Sequence, residues 1–259
     1  MDRLGEIIRE KGASTALIIG VFVFWELFCL MAGISDILLP RPSQIIKALI
    51  QYWPAIWPHT WQTLYTTIVG FGIGVVIGLL LGILIGSSKL AYDTAYPLLV
   101  GFSSIPKVAV VPILVIWFGV GWLPPVLTAF VISFFPIVVN VATGLATIEP
   151  ETEDVLKALG ASRMDIMTKV GIPRSLPYLF GALKVSITLA YVGSVIGEQN
   201  ASNLGLGNLI TRASADFNVP LIFAALIVLA ILGVFLVAIV DLVESRMTGW
   251  AKRSQLGNA

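Results

Sequence analysis

The run VGFGIGVVIGLLLGILIG, residues 69–86, passes eighteen positions without a charge or a strong hydrogen-bonding side chain. Nothing else in the chain constrains the fold as much. A helix needs ~20 mostly apolar residues to cross a hydrocarbon core, and every backbone group inside lipid must find its partner within the segment. Six runs meet this description, at roughly 14–33, 61–86, 94–118, 122–145, 176–197 and 220–243. The third is interrupted by Pro97, Pro106 and Pro112. The runs are continuous rather than alternating, so they predict helices and not barrel strands. Only 12% of the residues are charged, against ~25% in a soluble domain. The expected fold is an all-α integral membrane protein with six transmembrane helices in a single domain, residues 1–259.

The first run is too long for a signal peptide, contains Glu26 and lacks a small-x-small cleavage site, so it reads as a retained helix. Phe28 before Cys29 argues against a lipoprotein signal, and one cysteine forms no internal disulfide. With six spans both termini share a side. That side carries Arg3, Arg9, Lys11, Lys89, Lys157, Arg163, Lys169, Arg174, Arg246, Lys252 and Arg253, whereas the other has Arg41, Lys47 and Arg212. Lysine and arginine accumulate on the cytoplasmic side of a membrane protein, which puts both termini in the cytoplasm.

In the second run Gly70, Gly74, Gly78, Gly82 and Gly86 recur every four residues. Lipid removes the hydrophobic drive for helix association, and glycine permits close backbone contact instead. The stripe turns by ~40° at each step, which suits packing on one or two neighbours. On the outer side, LLPRPSQIIKALIQYWP (38–54) predicts a short interfacial helix. Ser43 is its expected N-cap, Ile45, Ile46, Leu49 and Ile50 share a face, and Tyr52, Trp53, Trp57 and Trp61 lie at headgroup depth.

One stretch breaks the apolar pattern. EPETEDVLKALGASRMDIMTKVGIPR, residues 149–174, holds nine of the 31 charges. Pro150, Glu151 and Glu153 suit the start of a helix. Gly160 suits its end, and Ser162 with Asp165 suits the cap of a second helix. Pro173 and Pro177 mark the return to the membrane. The stretch is a solvated loop or a pair of short helices at a glycine corner. Val155, Leu156, Leu159, Met164, Ile166 and Met167 favour the second reading, because a loop has nothing to cover them with. Some face the membrane domain and others suit docking to a second protein.

Charges also occur within or beside the spans: Glu26, Lys107, Lys184, Glu198 and Asp241. Such residues are costly and often functional. Lys184 and Asp241 are expected to reach the interface, and Glu26 to pair within the bundle. Lys107 is expected to line a pathway or to form a structural ion pair with Glu198.

The segment from Asp154 to Pro173 resembles the cytoplasmic signature of permease subunits of ATP-binding-cassette (ABC) importers. That pattern reads Glu-Ala-Ala, three residues, Gly, nine residues, Ile-x-Leu-Pro. Gly160, Val170, Ile172 and Pro173 match it, while Asp154, Val155 and Leu156 replace Glu-Ala-Ala. SSIPKVAVVPILVIWFGVG (103–121), GEQNASNLGLGNLI (197–210) and LPRPS are similar to the branch serving nitrate, taurine, alkanesulfonate, bicarbonate and some pyrimidine or vitamin precursors. The resemblance implies a type I importer permease fold, with a coupling loop between the fourth and fifth helices. Asp154, Leu156, Leu159, Gly160, Ala161, Ser162, Met164, Ile166 and Pro173 would then meet the ATPase. It further implies a homodimer in the bacterial inner membrane, two cytoplasmic ATPases that bind ATP and Mg, and an external substrate-binding protein. The solute would be small, with a sulfonate or another anion favoured by analogy.

The chain carries no G-x-x-x-x-G-K-[ST] loop, and its single histidine, His59, has no companion for metal or nucleophile chemistry. Neither a cofactor, a resident metal nor nucleic-acid binding is expected. The alternative is a secondary carrier or channel working without an ATPase; the lack of internal repeats weighs against it.

Overall fold

The computed structural model describes the backbone of residues 2–146, 155–156 and 158–248, and the side chains from residue 16 onward within them other than Arg163, Met167 and Arg174. The described residues form helices joined by short turns. They are α1 (Asp2–Met31), α2 (Pro42–Gln51), α3 (Trp53–Gly86), α4 (Lys89–Ser103), α5 (Val111–Phe118), α6 (Leu123–Ala146), a single turn α7 (Arg163–Ile166), α8 (Ile172–Ala201), α9 (Leu206–Ala215) and α10 (Val219–Met247).

Four of these are long and apolar enough to span a bilayer by themselves: α3, α6, α8 from Ser175, and α10. The third apolar run is broken. Helix α4 ends at Ser103, Pro106 interrupts the chain, and a 3-10 turn (Lys107–Val110) leads into α5 at 76° to α4. Counted as one span, this bent pair brings the total among the described residues to five. Helix α1 adds a further apolar stretch, of which Ala16–Met31 lies among the residues whose side chains are described.

Helix α6 packs against both α3 and α8, which also touch each other. The five glycines of the every-fourth stripe on α3 are all buried, and all face one neighbour, α6. A Cβ built on Gly70 would sit 2.5 Å from Val126 O and 2.6 Å from Ala129 Cβ. Gly74 would meet Ser133 Oγ at 2.8 Å, Gly78 Ile137 Cγ2 at 2.8 Å, Gly82 Val141 Cβ at 2.7 Å and Gly86 Ala142 O at 2.8 Å. The partners on α6 also advance by about four residues. Rows that both step by four residues stay in register on two helices that run in the same direction. Helix α6 receives α8 in the same manner. A Cβ on Gly197 would lie 2.6 Å from Pro125 Cα, and one on Gly193 would lie 3.1 Å from Thr128 O. The segment GSVIG carries that small-xxx-small signal in the sequence, although the charged residue beside it draws the eye first.

A second apolar cluster joins α2, α3, α8, α9 and α10 through Ile45, Ala48, Ile56, Ile187, Leu206, Leu209, Leu221 and Val228 among others. Helix α2 therefore divides its apolar residues. Ile45 and Ala48 are buried, whereas Ile46 and Ile50 stay exposed on another face. Its start differs from expectation as well. Arg41 is the N-cap and Pro42 the first helical residue, and Gln44 Oε1 accepts the Arg41 N–H at 2.8 Å. Ser43 instead reaches α1: its N–H and hydroxyl donate to the Glu26 carboxyl oxygens at 3.0 and 2.8 Å. A carboxylate from another helix thus caps this N-terminus, where the helix dipole favours negative charge.

Candidate functional site

The two ends of the bundle differ. One gathers α2, the start of α3, the α5–α6 turn, the α8–α9 turn and α9. The other gathers the ends of α3, α6 and α10, the start of α8 and the corner around Gly160.

The corner is built from local chemistry. Leu159 N–H donates to Val155 O at 3.1 Å, and Ala161 N–H donates to Leu156 O at 3.0 Å. The second bond is the six-residue closure of a Schellman motif, which needs a left-handed residue just before its donor. Gly160 supplies it with φ +85°. The next turn opens with a reciprocal cap: Asp165 N–H donates to Ser162 Oγ at 3.1 Å, and Ser162 N–H donates to Asp165 Oδ2 at 3.4 Å. Lys169 closes on Asp165 at 2.7 Å. Hydrogen bonds from Lys169 and then from Ser162 hold the Asp165 carboxyl down to about 2.

Beyond Ile166 the chain does not form the second separate helix that the sequence predicts. The single turn α7 widens into a π turn, Met167–Gly171, and continues without a break into α8. Pro173 and Pro177 lie within α8 rather than before it. Neither has an N–H to give, so the chain widens just ahead of them.

The apolar residues of this corner divide by exposure. Val155, Leu159 and Met164 are 60%, 78% and 64% exposed, whereas Ile166 is 4% exposed and turns inward. Ile166 therefore does not belong to the free surface on which the sequence put it. Asp154, like Pro150, Glu151 and Glu153, lies outside the described residues. Leu156, Ala161 and Pro173 are half-buried, while Gly160 and Ser162 are exposed.

The membrane charges find other partners than those expected. Lys107 and Glu198 do not pair. Lys107 Nζ donates to Ser103 O at 2.6 Å, capping the end of α4 across the break, and lies 5.2 Å from the centre of the Phe135 ring. A cation suits the negative end of a helix dipole and the face of an aromatic ring. Glu198 is wholly buried and lies among groups of α3 and α9: Thr63 Oγ1 donates to its Oε2 at 2.8 Å and Gly207 N–H at 3.1 Å. Lys184 and Asp241 do not simply reach outward. Lys184 on α8 bridges Asp241 and Glu244 on α10, each at 2.6 Å. His59, which shows no chemical companion in the sequence, places Nδ1 2.8 Å from Gly205 O and 3.0 Å from Gly205 N. No group of three or more His, Cys, Asp or Glu side chains suited to a metal occurs among the described residues.

A corner of this shape at one end of a bundle of apolar helices is the form expected of an importer permease. The family model for the binding-protein-dependent transport system inner membrane component matches residues 74–249. The chain belongs to that family. It is similar to the riboflavin transport system permease protein RibX of Chloroflexus aurantiacus, with 33% identity over 89% of this chain and 87% of that protein. It is also similar to the formylaminopyrimidine transport permease protein ThiX of Halalkalibacterium halodurans, at 32% identity over 61% and 63% of the two chains. The fold matches a chain of the MetNI methionine ABC transporter in an inward-facing conformation. There the TM-score is 0.65 and the identity 23%, over 75% of this chain and 98% of that one. The permease is an all-helical, multi-pass inner-membrane protein and a subunit of an ATP-driven importer.

Proposed function

We propose that this permease works as a pair of copies, that its Gly160 corner docks a cytoplasmic ATPase, and that an external binding protein delivers a small solute to the opposite end. The observation that carries the reading is the corner itself. It is fixed by a Schellman closure and a reciprocal cap, and it presents Val155, Leu159 and Met164 to solvent beside the charges of Asp165 and Lys169. A rigid, partly apolar turn outside the membrane fits a groove on a partner. ATP and Mg belong to that partner, and this chain contributes no nucleotide-binding loop. Counting the broken α4–α5 pair and α1 as spans gives six crossings within one domain. The positive-inside bias then puts the corner and both termini in the cytoplasm.

Closure of two ATPases around ATP would push the corner. Because α7 continues through the π turn into α8, the push passes along a helix that is packed on α6. Lys107 holds the break between α4 and α5 and so shapes that wall of the pathway. Relatives named for riboflavin, a formylaminopyrimidine and, in Bacillus subtilis at 27% identity, aliphatic sulfonates make a small organic solute the class to try, the sulfonate included.

Affinity purification from the native membrane in mild detergent, with mass spectrometry of the associated proteins, tests the reading. An ATPase accompanies the parent chain and is lost from Gly160→Arg. A chain that purifies alone, and carries solute across liposomes without ATP, is a carrier or channel.

A further inference from the structure

Glu198 is buried in a membrane-spanning helix, and among the described residues no lysine or arginine forms an ion pair with it. Burying a carboxyl without a cation is costly unless hydrogen bonds satisfy its oxygens. Here they come from α3 and α9. Thr63 Oγ1 and Gly207 N–H donate to Oε2, and Thr66 Oγ1 donates to Oε1 at 3.1 Å. Ser194 Oγ, one turn back on α8, lies 2.6 Å from Thr66 Oγ1.

The same α3 residues hold the turn after α8. Leu206 N–H donates to Thr63 Oγ1 at 2.8 Å, and His59 Nδ1 meets the Gly205 peptide, accepting from its N–H at 3.0 Å in one tautomer and donating to its O at 2.8 Å in the other. Gly205, Leu206 and Gly207 are the N-cap and first two residues of α9. Their N–H groups have no partner within the helix, yet Leu206 and Gly207 donate to Thr63 and Glu198, and Gly205 N faces His59 Nδ1. Two glycines make the approach possible: a Cβ on Gly205 would overlap the Glu198 carboxyl group, and one on Gly207 would lie 3.0 Å from Glu198 Cβ.

We propose that Glu198 is a positioning residue for transport, a buried acceptor that fastens the α8–α9 turn and the start of α9 to α3. The outer end of the permease then moves as one block while the corner at the other end is driven. This rests on the importer reading for what drives the motion, but not for the existence of the fastening.

Hydrogen exchange of the purified assembly in lipid nanodiscs tests it. Protection of the Gly205, Leu206 and Gly207 amides reports the fastening alone, because the helix itself gives them no bond. In the parent these amides exchange at least about tenfold more slowly than that of exposed Asn203. The protection persists both without nucleotide and with the ATPase trapped by ATP and vanadate. Glu198→Gln faces one of its donors with a donor amide, and Thr63→Val removes a hydroxyl at constant shape. Each speeds the three amides by about tenfold, while Thr63→Ser retains protection and Ile210–Arg212 exchange alike in all four proteins. A merely structural role would speed the whole of α9 together. The proposal is overturned by parent amides that exchange as freely as Asn203, by variants that leave them protected, or by protection that vanishes in the vanadate-trapped state. If Glu198→Gln does not reach the membrane, the parent and the two Thr63 variants still decide. If no ATPase accompanies the parent, the importer reading fails while the nucleotide-free exchange still decides the fastening.

Discussion

At Gly160 the backbone has φ +85° and nothing lies within 4 Å of the position a Cβ would take. Any other residue therefore costs conformational energy alone, about 1–2 kcal/mol for a left-handed position, unless its side chain meets the partner. Gly160→Ala should weaken ATPase retention in co-purification only partly, and Gly160→Arg should abolish it. Asp165 gives a sign that can be worked out. Its folded-state pKa is lowered, so its contribution to the cap is present above the ordinary carboxylate range and lost as pH falls through about 2. ATPase retention by the parent should therefore be flat between about pH 5 and 8 as far as this cap is concerned, and Ser162→Ala should lower it across that whole range. Both are read from the recovered ATPase. Local turn chemistry of this kind is legible in sequence because glycine, serine and aspartate act over three to six residues. The partners of membrane charges are not. Nothing along the chain says that Lys107 turns back to Ser103, or that Glu198 finds two threonines some 130 positions earlier.

At the scale of helices, the every-fourth glycines of α3 are plain in the sequence, but the identity and register of the neighbour are not. The structure grades the sites. A methyl group at Gly70 meets Val126 O and Ala129 Cβ, which cannot move aside without shifting α6. At Gly74 its close contact is the Ser133 hydroxyl, with the next atom at 3.8 Å. Gly70→Ala should lower stability by about 1–3 kcal/mol, visible as a reduced unfolding temperature in detergent, and Gly74→Ala by less. Adding Ser133→Ala should relieve Gly74→Ala and do nothing for Gly70→Ala. Equal losses at both sites would contradict the packing described. Two features escaped the periodic pattern for physical reasons. The π turn before α8 is helical to the eye of any pattern, since five residues are too few for its wider turn to stand out. Helix α2 buries Ile45 and Ala48 because α10 lies against it, a tertiary fact that leaves Ile46 and Ile50 exposed.

For the whole molecule, membrane class and helical architecture are set by long apolar runs, because lipid permits few alternatives. The number of crossings is less direct, since the break at Pro106 splits one apolar run into two helices. In the proposed function, work divides between two ends: a corner for an ATPase at one, and a fastened block at the other, joined through α6 and α8. The Lys184 bridge to Asp241 and Glu244 ties α8 to α10 near the driven end. Lys184→Met should leave membrane levels largely intact, as a partly exposed pair is worth about 1 kcal/mol or less. The measurement that tests the account most directly is uptake into proteoliposomes holding the permease with its co-purified ATPase and binding protein. Riboflavin, a formylaminopyrimidine and an aliphatic sulfonate are supplied outside in turn, with a mixed solute extract from the native medium as the wider probe. The account predicts accumulation of one small solute only with ATP at the ATPase face and the binding protein present, and none with Gly160→Arg. Uptake that proceeds without ATP, or equally well with that variant, would contradict it.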